Sequence, residues 1–306
     1  MKNIIFVLAV LMLILSAGIL SAEPDSRAKI TISEPVDPPR LFVIPTTKVL
    51  NSLDVTMAGG GVLGIEKDRS FLARVELGLG DIAEVEFRTN DILSTLSKGI
   101  TSMPTAAFKM RIIAEKQAVP AIAWAYKKSL WKDDYNSNIL FRSRMSILYL
   151  VGGKTFGAVR LYAGLSFQDC RLQTWKAAPS SGNDVNQITS VDTNIITPEI
   201  YKILSSPFGG LEIKVNPKTK IMAEVSSFAS FDYNKASGAQ TTDDIKKIMV
   251  YMIGIRYFFS NWISVDVGTR YQTNYTGFAD STVTAAMNLA FPLHRKNEPD
   301  IVKIDE

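Results

Sequence analysis

The stretch Ile248–Gln272, IMVYMIGIRYFFSNWISVDVGTRYQ, limits what this chain can fold into more than any other. Met249, Tyr251, Ile253, Ile255 and Tyr257 share one parity, and Val250, Met252, Gly254, Arg256 and Phe258 the other. After Ser260-Asn261 the pattern resumes, with Ile263, Val265, Val267 and Tyr271 against Asp266, Gly268, Arg270 and Gln272. A period of two is a strand signal, and a two-residue polar joint makes the pair a hairpin. Each arm is long enough to cross a bilayer when tilted, which takes roughly 9–11 residues. Tyr257, Phe258, Phe259 and Trp262 cluster at the turn, where an interfacial girdle would lie.

The alternation begins at Val49 and hardly stops. Strands are expected near 49–58, 71–78, 82–88, 105–115, 119–127, 139–151, 156–168, 208–215, 220–231, 248–259, 262–273 and 282–291. The connections strengthen the pattern. Tight joints at 79–81, 116–118, 152–155, 216–219 and 260–261 alternate with long ones at 59–70, 89–104, 128–138, 169–207, 232–247 and 274–281. Short periplasmic turns opposite long external loops mark an outer-membrane barrel. A soluble sandwich also alternates apolar and polar residues, but Greek-key connections give no reason for loop lengths to alternate. The expected fold is all-β: one transmembrane up-and-down antiparallel barrel of about 12 strands over residues 49–291, in the bacterial outer membrane.

The ends fit export. Lys2, the apolar run Ile4–Leu15 and the small residues to Ala22 read as a signal peptide over residues 1–22, although an uncleaved anchor has the same outline. Ile19 stands where a lipidated cysteine would have to be. Residues 23–48, with Pro24, Pro35, Pro38, Pro39 and Pro45, read as an extended periplasmic leader, and 292–306 as a periplasmic tail. Thr284, Ala286, Leu289 and Phe291 approximate a barrel-terminal assembly signal, which implies handling by the barrel assembly machinery.

One parity is consistently apolar, as in Ala73, Val75 and Leu77, Phe108, Met110 and Ile112, and Ile122, Trp124 and Tyr126. That face suits outer-membrane lipid. The opposite parity carries the charges expected to line the interior: Glu76, Glu84, Glu86, Arg88, Lys109, Arg111, Arg142, Arg144, Arg160, Arg256, Asp266 and Arg270. Ala121, Ala123 and Ala125 leave room between the longer side chains. Two lumens satisfy this pattern. One is a pore with an acidic and a basic wall, passing small polar or anionic solutes; the other is filled by mutually paired Arg and Glu.

Composition removes most chemistry. Lys plus Arg is 34 against 30 for Asp plus Glu, a scattered excess that gives no footprint for nucleic acid. The single cysteine, Cys170, makes no internal disulfide and has no companions for a metal site. The one histidine, His294, follows the last strand in a basic tail, so a serine hydrolase has no placed base. We expect no enzyme, no catalytic residues, no metal and no cofactor. Gly153-Lys154-Thr155 lacks the glycine five residues earlier that a phosphate loop needs, Leu148 standing there. Asp133-Asp134 and Asp243-Asp244 read as solvated loop acids, and TPEIYKILSS (197–206) as a short helix in the longest loop.

Three segments carry a family likeness: LFVIPTT (41–47), GLGDIAE (78–84) and FKMRIIAEKQAVPA (108–121) running on through IAWAY. Together they resemble the YjbH-like group of Gram-negative outer-membrane barrels associated with exopolysaccharide secretion. The resemblance implies barrel fold and outer-membrane location, and brings no catalytic residues. The functional expectation is a passive, porin-like channel. Its alternative is a non-conducting accessory or surface-interaction protein, linked to exopolysaccharide export.

Overall fold

The computed structural model describes residues 36–63, 71–88, 104–136, 139–177, 191–232 and 239–292. The chain divides into Met1–Glu34 and Pro35–Glu306. The expected signal peptide, the first part of the leader and the tail with His294 lie outside the described residues.

Thirteen strand segments follow in order: β1 (Asp54–Leu63), β2 (Phe71–Leu79), β3 (Ala83–Arg88), β4 (Thr105–Ile113), β5 (Ala121–Ser129), β6 (Lys132–Asn136), β7 (Ile139–Phe156), β8 (Val159–Ala177), β9 (Val191–Asn216), β10 (Thr219–Phe231), β11 (Ile245–Phe258), β12 (Ile263–Gln272) and β13 (Thr282–Pro292). Neighbours pair antiparallel, β1 pairs with β13, and β5 pairs with β7, which closes the sheet. β6 prolongs β5 along β7: Lys128 faces Ser146 and Lys132 faces Ser143, so the β5 side carries one extra residue, a bulge. Two segments thus make one stave, and the barrel has 12 strands. Closure leaves no sheet edge in lipid, which is what lets strands span a bilayer.

Parity behaves as the alternation requires. Outward positions such as Val75, Phe87, Leu148, Leu150, Leu165, Tyr251, Ile253 and Ile255 are exposed, and their inward neighbours are buried. Tyr257, Phe259 and Trp262 are exposed together at the β11–β12 tight turn, where an interfacial girdle would pass. At the tight turns, Gly80 and Gly157 take the left-handed conformation, which costs glycine least.

The wall is uneven. β1 to β4 are short, whereas β7, β8 and β9 run 18, 19 and 26 residues. Spanning needs roughly 9–11, so one side of the barrel continues well past the outer surface. This overturns the expected long loop over 169–207: both its flanks are strand, and 197–206 is not a helix but part of β9. Pairing with β8 runs unbroken from Ser166 facing Ser206 to Leu172 facing Ile200, and resumes after a bulge at Thr174 facing Thr197. Tertiary pairing overrides local helix preference here.

Candidate functional site

The interior is occupied by the chain's own N-terminal segment. Val36 N donates to Asn261 O in the β11–β12 turn (3.1 Å), and Leu53 N to Gly78 O (3.1 Å), so the segment enters and leaves at the tight-turn mouth. Between those points it folds back as a small hairpin. Arg40 bridges Pro45, Leu41 N donates to Ile44 O (3.3 Å), and Thr46 N to Pro39 O (3.2 Å). Leu41, Ile44 and Thr46 are fully buried. Residues 36–48 are therefore not an extended leader but a lumen hairpin. The prolines fit that role, because Pro38, Pro39 and Pro45 flank the tip where no wall strand needs an N–H.

Charged wall residues hold its backbone. Glu224 on β10 accepts from the three consecutive N–H groups at the tip, Phe42 (3.0 Å), Val43 (3.1 Å) and Ile44 (3.3 Å). Arg256 on β11 is fully buried and donates to the carbonyls of Pro38 (3.4 Å), Arg40 (3.3 Å) and Leu41 (3.2 Å). Lys109 donates to Pro39 O (2.8 Å), and Leu50 N donates to Glu84 (3.1 Å). Buried backbone groups need partners, and a carboxylate on consecutive N–H groups supplies them in a charge-assisted form.

The hairpin's side chains complete the wall's ion pairs. Arg40 bonds both Glu76 and Glu86. Lys48 bonds Asp37 and also Glu212 (2.8 Å), while Asp37 receives Lys220 (2.6 Å) and Arg256 (2.9 Å). Asp37 lies at the mouth, outside the spanning strands. Burial by itself pushes its carboxyl up, but Lys48, Arg256 and Lys220 outweigh that and hold it well below the usual carboxylate range.

Glycines make the room. A Cβ on Gly210 would strike Leu41, and one on Gly153 would sit 2.6 Å from Thr47 Oγ1. Gly254 and Gly268 lie under the Phe42 ring. The tip then joins an apolar cluster with Tyr149, Tyr162, Phe208 and Met222, which continues outward through Met145, Ile147, Leu172, Phe228 and Val250. Beside the hairpin remains a crevice of about 30 Å³ lined by Arg40, Glu84, Glu86, Lys109, Lys127 and Tyr149, room for about one water.

Of the residues expected to line a pore, Glu76, Glu84, Glu86, Arg88, Lys109, Arg256, Asp266 and Arg270 are inward and buried. They are engaged rather than arrayed as two walls: Lys109 meets Glu84 at 2.8 Å and Arg88 meets Glu86 at 3.0 Å. Arg111 and Arg160 share the inward parity but sit at the tight-turn rim, on Asp81 O (2.7 Å) and Glu115 (2.7 Å). Arg142 and Arg144 do not line the lumen. They share the outward parity of Leu148 and Leu150 on the outer extension of β7. Arg142 pairs with Asp133 (2.6 Å) beneath Trp175, and Arg144 lies 4.2 Å over Trp131. Charge on that face is costly only within the hydrocarbon layer.

The sequence reading missed Asp37, Arg40, Lys48, Arg74, Glu212, Lys220 and Glu224. The signal for them was the set of inward glycines at 153, 210, 254 and 268, which a lumen holding only water has no need of.

A closed barrel, apolar outside and charged inside, with tight turns at one end and tall strands at the other, is a bacterial outer-membrane β-barrel. Among solved structures it is similar to the NanC porin, at 11% identity over 78% of this chain and 100% of that one, TM-score 0.41. It is similar also to the translocator domain of the autotransporter NalP from Neisseria meningitidis, at 11% over 79% and 88%, TM-score 0.43. A third likeness is to the CymD monoaromatic hydrocarbon channel, at 8% over 80% and 90%, TM-score 0.38. Scores at this level leave the assignment resting on the barrel's own geometry. No family model and no curated protein matches the chain, and the YjbH-like likeness stays a resemblance.

Proposed function

We propose that this barrel is non-conducting in its resting state, shut by its own hairpin, and works as an outer-membrane accessory or surface-interaction protein rather than an open porin. The observation that carries this is the seating of residues 36–50: backbone bonded to Glu224 and Arg256, side chains ion-paired to the wall, tip buried in an apolar cluster. A gate loosely resting in a pore would leave the wall's charges satisfied without it. Here Arg40 joins the cluster that Glu76 and Glu86 make with Arg74 and Arg88 of the wall, bonding both carboxylates.

We set this reading above that of a passive channel for small polar or anionic solutes because the inward charges bond the hairpin and one another. The working surface in this reading is the tall external wall of β7, β8 and β9. No catalytic step, metal or cofactor is part of it. The test is swelling of liposomes carrying the folded protein, in arabinose, glycine and a small organic anion. Swelling at the rate of protein-free liposomes is expected. Swelling graded by solute size overturns the proposal.

A further inference from the structure

Above the rung where Val225 faces Gly209, β9 and β10 part. From Phe208 back to Val191, β9 pairs only with β8, and from Ser226 to Phe231, β10 pairs only with β11. The cause is in the sequence. Pro207 stands two residues past the last rung and has no N–H to give.

Side chains replace the missing rungs. Gln168, inward on β8, donates Nε2 to Ser227 O (2.6 Å) and accepts at Oε1 from Ala229 N (3.0 Å). Lys247, on the outward parity of β11, donates to Ser205 O (3.2 Å). The hydroxyls of Ser206, Ser226 and Ser227 lie along this seam, each residue 2% exposed, and make no hydrogen bond.

Depth makes the seam notable. Pro207 is nine residues along β9 from its periplasmic end at Asn216, and roughly 9–11 residues cross the hydrocarbon, so the seam opens at outer-leaflet depth. Its outward neighbours Leu165, Phe167 and Tyr251 are exposed and apolar. Open strand edges are not tolerated against hydrocarbon without cause. On the lumen side the seam gives onto the apolar cluster, at Phe208, Met222 and Phe228.

We propose that the β9–β10 seam is a lateral portal, latched by Gln168 and Lys247, that admits a fatty-acid-like amphiphile from the outer leaflet into the apolar half of the lumen. The acyl chain meets Phe208, Met222 and Phe228, and the unpartnered serine hydroxyls meet its carboxyl or ester group. This stands apart from conduction, since the portal works whether or not solutes cross the barrel.

The test uses the full-length protein in liposomes containing a diazirine-bearing palmitic acid, with photolabelled residues mapped by mass spectrometry and folding confirmed by heat-modifiable migration. Labelling of the inward residues Phe208, Met222 or Phe228 is expected. It should rise several-fold in Q168A/K247A, which releases the latches, and fall several-fold in Pro207→Ala, which restores the donor. Labelling confined to outward residues in both the native protein and Q168A/K247A overturns the proposal. So does inward labelling that neither variant changes, because entry then bypasses the seam.

Discussion

Arg256 on β11 and Asp266 on β12 stand opposite each other, and the guanidinium closes on both carboxylate oxygens, Nε to Oδ1 at 2.7 Å and Nη2 to Oδ2 at 2.9 Å. The pair fixes the plane of the guanidinium. Its remaining donor capacity is thereby aimed at the hairpin, where it meets Asp37 and three carbonyls. A lysine has no fork with which to do both.

Breaking that pair from one side leaves a buried charge. Arg256→Met should destabilise the folded barrel by about 3–5 kcal/mol, read as a lower urea midpoint in lipid vesicles. Combining it with Asp266→Leu should cost less than the sum of the two single changes, because the partners share one interaction. Simple additivity would show that the two residues act separately.

The tip depends on Glu224. Glu224→Ala removes the acceptor of three N–H groups, and hydrogen bonds to charged groups contribute about 1.5–3 kcal/mol each. The hairpin should leave the lumen while the strands stay closed. Trypsin would then cleave after Arg40 and Lys48, sites the native protein shields. Equal resistance in the variant and the native protein would show that Glu224 does not retain the hairpin.

Arg40 is predicted to matter more to the barrel than to the tip. Its loss removes the cation shared by Glu76 and Glu86, which face each other on β2 and β3 and keep only their same-strand contacts with Arg74 and Arg88 among the ion pairs described above. Arg40→Ala should cost about 3–5 kcal/mol, and adding Glu76→Gln should recover part of the loss. No recovery in the double variant argues against a shared ion cluster.

Space can be tested without touching charge. Gly153→Val fills the place of the Thr47 side chain. It should expel the hairpin, giving the same tryptic sites as Glu224→Ala with heat-modifiable migration unchanged.

Acid offers a further check. The Asp37 carboxyl is held down in the folded state, so the stability it brings is present above the unfolded value of about 3.9 and lost as pH falls through the folded one. Between pH 7 and about 4, Asp37 should give no loosening of the hairpin. Asp37→Asn, which resembles the protonated group, should loosen the hairpin already at neutral pH and remove Asp37's share of the loosening below that range, measured again by trypsin-site exposure.

The strands were legible in the sequence because lipid enforces the alternation: outward Val75, Leu150 and Ile253 have no alternative to being apolar. Where lipid stops, the rule stops. Arg142 and Arg144 lie on the outward face of β7 above the hydrocarbon, so parity assigned from charge alone put them on the wrong side. TPEIYKILSS carries helix formers yet belongs to β9, since β8 alongside it pairs residues 200–206 without a break. The hairpin was least visible. Its prolines and polar residues look like a linker, and the residues that hold it, Glu224 on β10 and Arg256 on β11, are distant in sequence. LFVI set between prolines, together with inward glycines far down the chain, was the only trace, and reading it requires knowing which strands close on which.

The central claim is that the lumen is closed by residues 36–50, and single-channel recording in planar bilayers tests it most directly. The native protein should give no steps, while Glu224→Ala and Gly153→Val, both folded, should give discrete steps of a uniform size. Steady open steps from the native protein, equal to those of the variants, would contradict the account.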